Sequence, residues 1–73
     1  MSPEEVAAHA GRPATVTGQG DLWFDERLRP IISIMGIRPI VTVLRLTKAG
    51  LALVEHEGKR YSVPPRNVMA VSP

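Results

Sequence analysis

The sequence predicts one small, mainly β domain: a barrel or sandwich of about five to six short strands behind a short N-terminal helix. Three observations predict it. Short β-branched runs recur along most of the chain, divided by Gly and Pro turn signals roughly every 8–12 residues. One run, from Ile40 to Thr47, has the period-two texture of a strand. The length of 73 residues leaves room for a single core.

Residues 2–10 read as the helix. Ser2 is a natural N-cap, Pro3 fits the first turn, and Glu5 stands three residues after Ser2, completing a capping box. Gly11 is a natural stop, with Pro13 beyond it. Only Val6 and the alanines offer an apolar side, so the helix must dock to persist. The β region spans residues 14–71. Ala14-Thr15-Val16-Thr17 is its first strand, and Gly18-Gln19-Gly20-Asp21 a turn or loop. Leu22-Trp23-Phe24 either starts a second strand or covers the core. Between Pro30 and Pro39, Ile31-Ile32-Ser33-Ile34-Met35 is a short strand ended by Gly36. It is apolar enough to be central core or an edge that accepts a partner strand. In the strand 40–47, alternation sends Ile40, Thr42, Leu44 and Leu46 one way and Val41, Val43 and Arg45 the other. Lys48-Ala49-Gly50 turns the chain. Residues 51–55 and 59–63 form a hairpin closed around Glu57-Gly58.

Pro64-Pro65-Arg66-Asn67 cannot continue a central strand and reads as a single 3₁₀ turn, after which residues 68–71 return as the last strand. This ending, Tyr61-Ser62-Val63-Pro64-Pro65-Arg66-Asn67-Val68, resembles the close of an SH3-like barrel. The resemblance covers residues 51–71 and implies a small SH3-like barrel; it implies little about function. The acidic-loop and aromatic pair of proline-binding SH3 domains is missing, so no polyproline ligand is expected.

Composition excludes several classes. There is no Cys, hence no disulfide and no thiolate metal site. The start, Met1-Ser2-Pro3-Glu4-Glu5, does not read as a secretory signal, and no apolar run approaches the roughly 20 residues of a membrane helix. A cytoplasmic protein without a membrane partner is expected. Charge is divided: residues 1–26 hold five acids and one base, net −4, and residues 27–73 eight bases and two acids, net +6. Such asymmetry suggests a basic face for an acidic partner, or solubilising charge alone.

Catalysis is not expected. A Ser-His-Asp site needs three groups brought together, whereas His9 on the helix and His56 at the hairpin tip both read as exposed. Alternation puts His56 on the face opposite Glu55 and Glu57, so these three read as a solvated tip, not a metal site. Asp21, Asp25 and Glu26 lack a cation-loop pattern. Gly18-Gln19-Gly20 leads into Asp21 and has no following Lys-Ser or Lys-Thr, so it is no phosphate loop. No cofactor and no metal are expected.

Binding remains. Arg outnumbers Lys seven to two, and Arg suits bidentate pairing with carboxylate or phosphate. The candidate partner-binding residues are Trp23, Phe24, Arg27, Arg29, Arg38, Arg60 and Arg66. Trp and Arg favour interface hot spots, although Trp23 can instead plug one end of the barrel. Nucleic-acid binding would add exposed aromatics for stacking, and a core this small competes for Trp23, Phe24 and Tyr61.

In length, lack of Cys and Arg-rich composition, the whole chain resembles the small transcription regulators of lytic phages that infect Xanthomonas. That resemblance implies binding to bacterial RNA polymerase near the N-terminus of its largest catalytic subunit. It also implies inhibition of initiation by disfavouring sigma, antitermination, and a location in the host cytoplasm. A monomer is expected. Two other readings stand beside it: a small nucleic-acid-binding β-barrel, and a phage structural or assembly protein that self-associates through an apolar edge.

Overall fold

The computed structural model describes residues 1–16, 23–31 and 39–71. Its helix α1 (Pro3–Ala8) carries the expected capping box. The Glu5 N–H donates to Ser2 Oγ at 3.1 Å and the Ser2 N–H to Glu5 Oε1 at 2.8 Å. The helix is shorter than 2–10, because His9 already leaves helical geometry and Gly11, at φ +82°, reverses the chain into the sheet. Val6 is its one buried residue.

Among the described residues seven strands follow: β1 (Pro13–Val16), β2 (Trp23–Phe24), β3 (Pro30–Ile31), β4 (Ile40–Leu46), β5 (Ala52–His56), β6 (Lys59–Val63) and β7 (Val68–Ala70). They form one antiparallel sheet in the order β3-β2-β6-β5-β4-β1-β7. The protein is therefore mainly β with a short N-terminal helix. The expected order of strand, Pro-led 3₁₀ turn and final strand is present as β6, Pro64, a 3₁₀ helix (Pro65–Asn67) and β7. Barrel closure is corrected: among the described residues the sheet is open, with β3 and β7 at its two edges. Among these residues β3 pairs with β2 alone and β7 with β1 alone, so no ladder joins the two edges. Residues 32–35 of the strand expected at 31–35 lie outside the described residues, as does the loop 18–21. No helix among the described residues is long and apolar enough to cross a membrane.

The long strand departs from simple alternation. Val43 pairs with Val54, but Arg45 pairs with Leu53 and Leu46 with Ala52, so Leu44 is an extra residue at a β-bulge. The bulge turns Leu46 to the Val41 and Val43 side, where it packs on the core. This corrects the expected grouping of Leu46 with Ile40 and Thr42. The core is built chiefly of valine: Val6, Val16, Val41, Val43, Val54, Val63 and Val68, with Ala14, Ala52 and Trp23. β-branched side chains suit a pleated surface, and small ones let a short chain close over them.

The β5–β6 turn has Glu57 at φ +51° and Gly58 at φ +81°, both left-handed as a two-residue type I′ hairpin requires. No atom lies within 4 Å of a Cβ built on Gly58, so Gly58→Ala meets conformational strain alone. The expected loss is about 1 kcal/mol, read as a lowered urea midpoint with an unchanged slope.

Candidate protein-binding surface

Immediately after β2 the chain turns through Asp25–Arg29, and the Asp25 carboxylate organises that turn. Oδ1 accepts the N–H of Arg27 at 2.8 Å and of Arg29 at 2.9 Å, while Oδ2 accepts the Arg29 Nε–H at 2.9 Å. The Leu28 N–H donates to the Asp25 carbonyl at 2.9 Å, and the Asp25 N–H to the Arg29 carbonyl at 3.0 Å. These bonds hold Leu28 at φ +60° with 57% of its surface exposed. A leucine in left-handed geometry costs roughly 1–2 kcal/mol, and at this exposure no core burial offsets it. The turn thus presents an apolar side chain between the exposed Arg27 and Arg29.

The Arg29 N–H bond, ahead of the guanidinium and the Arg27 N–H, holds the Asp25 carboxyl below the ordinary carboxylate range. A lowered folded value means stability present above the unfolded pKa of about 3.9 and lost as pH falls below it through the folded value. Asp25→Asn should remove this component, seen as a flatter dependence of the denaturation midpoint on pH in that acidic window.

The other expected residues separate. Trp23 is 8% exposed and belongs to the core, packed edge-on against Tyr61 at 5.3 Å and His56 at 6.5 Å between ring centroids. Phe24 is half-buried opposite Ser62. Arg60 is exposed and stands across from Glu55. Because β2 runs antiparallel to β6 with Phe24 opposite Ser62, the Asp25–Arg29 turn heads toward the Arg60 end of β6. Arg66, exposed on the 3₁₀ helix, follows the other end. The expected joint basic patch therefore divides in two, and in one half Arg29 and Arg60 have the acids Asp25 and Glu55 beside them. Arg38 lies outside the described residues. Sequence reasoning missed Leu28; its signal was a lone Leu inside the charged run Asp25-Glu26-Arg27-Leu28-Arg29, with no strand or helix period to bury it.

Both histidines are engaged, which corrects their expected exposure. His9 Nε2 lies 2.8 Å from the Pro13 carbonyl. The His56 side chain is only 14% exposed, with Nδ1 3.2 Å from the Ile40 carbonyl and Nε2 3.6 Å from Glu57 Oε2. The left-handed turn brings Glu57 back beside His56, where alternation had separated them. Among the described residues no three His, Asp or Glu side chains gather as a metal site.

A second surface lies on the sheet's outer face. Thr15 pairs with Ile40 on one side and Met69 on the other, aligning two large apolar side chains that are 56% and 50% exposed. No family model, curated protein or solved structure matches the chain.

Proposed function

We propose that this chain is a protein-binding regulator whose partner is bacterial RNA polymerase, docked through the Asp25–Arg29 turn. The observation that carries the binding reading is Leu28, an exposed leucine kept in a strained conformation by Asp25 and flanked by two arginines. Strain of this kind persists where the surroundings over-determine it, and such sites cluster at ligand clamps. Arg beside an apolar anchor suits the centre of an interface.

The identity of the partner rests on the chain's resemblance to small phage transcription regulators. Regulation in this reading requires no reach to the promoter. A protein that binds core polymerase better than the sigma-bound enzyme shifts that equilibrium by its differential affinity. The same preference, acting on an elongating polymerase, is the basis proposed for antitermination. The nucleic-acid reading is less supported, since Arg29 is paired to Asp25 and Arg60 faces Glu55.

The test is capture of purified bacterial RNA polymerase core by the tagged protein after nuclease treatment, with and without competing sigma. Retention of core and weakening by sigma support the proposal. Failure to retain core defeats it. Retention of nuclease-sensitive material alone, falling steeply with salt, favours the nucleic-acid reading instead.

A further inference from the structure

Among the described residues strand β7 ends the sheet, pairing with β1 on one side only. At Val68 the backbone faces away from β1: its N–H donates to the Pro65 carbonyl, and its carbonyl accepts the Met1 ammonium at 2.7 Å. Alternation turns the N–H and carbonyl of Ala70 the same way. Among the described residues no backbone bond outside the sheet ladders involves Ala70. The strand itself, Val68-Met69-Ala70, carries none of the lysines or prolines that usually blunt an edge.

Beside this edge an open groove of about 500 Å³ separates β7 from α1. Its walls include Ala8, Met69 and Ala70, and its ends differ in charge. Met1 is bound at Pro65 and Val68, so the Ser2–Glu5 capping box sits at the start of β7. Ala14 pairs with Ala70 and the chain before it runs on past that point, so Arg12 sits at the end of β7, near His9 on the Pro13 carbonyl. Acid at one end and base at the other define a direction along the edge.

We propose that this edge and groove bind a second copy of the chain, β7 against β7, antiparallel about a two-fold axis near Ala70. Antiparallel pairing sets Glu5 of each copy against Arg12 of the other, twice, whereas parallel pairing sets like charge against like. The two Ala70 residues exchange both backbone bonds, and the Met69 side chains of the two outer faces become neighbours. A two-fold contact needs one patch complementary to itself, and the charge gradient along β7 supplies that. A three-residue edge strand offers a short ladder, and the dimer proposed is a transient one, below the roughly 800 Å² per partner of stable interfaces. The Asp25–Arg29 turn lies at the other end of the strand order, and self-association does not depend on it.

Sedimentation equilibrium of the full chain from about 10 μM to about 1 mM, near the millimolar end of affinities, tests this. The expected result is an average mass that climbs above the monomer value across the series. Ala70→Pro, tolerated on an edge strand, is expected to hold the mass at monomer. Arg12→Glu and Glu5→Arg, each checked as folded by circular dichroism, should be monomeric alone and associate when mixed. A wild-type chain that stays monomeric throughout overturns the proposal, and so does a folded charge-swapped pair that ignores each other. If Ala70→Pro abolishes polymerase capture while the wild type never dimerises, the edge belongs to the partner and the self-pairing is wrong. Loss of capture in Leu28 variants with unchanged dimerisation bears on the functional reading alone.

Discussion

Trp23→Ala is expected to unfold the domain. Trp23 is the one aromatic in the buried core, edge-on to both Tyr61 and His56. Truncating a buried Trp costs about 3–5 kcal/mol through lost burial and the cavity left behind. A core of this size supplies a net stability of about 3–5 kcal/mol, so the two are comparable. Circular dichroism should show the loss of the β signal or a sharply lowered melting temperature. Trp23→Phe, which keeps an aromatic in the space, should remain folded with a smaller loss. An alanine variant with the wild-type melting temperature would remove Trp23 from the core and return it to the binding surface. Until then, lost binding in a Trp23 variant reports unfolding and not an interface.

At Leu28 stability and binding should move in opposite directions. Asn tolerates left-handed backbone better than Leu, so Leu28→Asn should raise stability by about 0.5–1 kcal/mol, part of the left-handed penalty. It also deletes the exposed apolar anchor. Combined with Arg27→Ala, the expected loss of affinity for polymerase core is roughly tenfold to hundredfold, the size of a hot-spot deletion. The readouts are a urea midpoint and a binding isotherm on the same preparation. Equal affinity in a folded double variant would take the turn out of the interface. Lower stability would show that Leu28 packs on something, contrary to its exposure.

Much of the fold was legible because it depends on neighbours in sequence. Ser2, Pro3 and Glu5 specify the capping box locally, and both halves of it form. Glu57-Gly58 specifies the hairpin, since only a left-handed pair closes a two-residue turn with the right twist. Pro64 and Pro65 end β6 because they lack the N–H a ladder needs. Of the candidate site, Arg27 and Arg29 were legible as charge. Leu28 was not, because its meaning lies in a backbone angle that Asp25 imposes from three residues away.

By itself, then, the sequence determined a mainly β domain, its helix cap, its hairpin and its Pro-led final turn. Each of these is set by interactions spanning a few residues. Tertiary structure alone decided the rest. The bulge at Leu44 sent Leu46 inward because the facing strand offered Ala52 there. His56 was drawn under Trp23 and onto the Ile40 carbonyl by strands distant in sequence. The open order of the sheet among the described residues, with β3 and β7 at its edges, followed from which strands found partners. Pairing between distant strands depends on complementary surfaces that no short window of sequence contains.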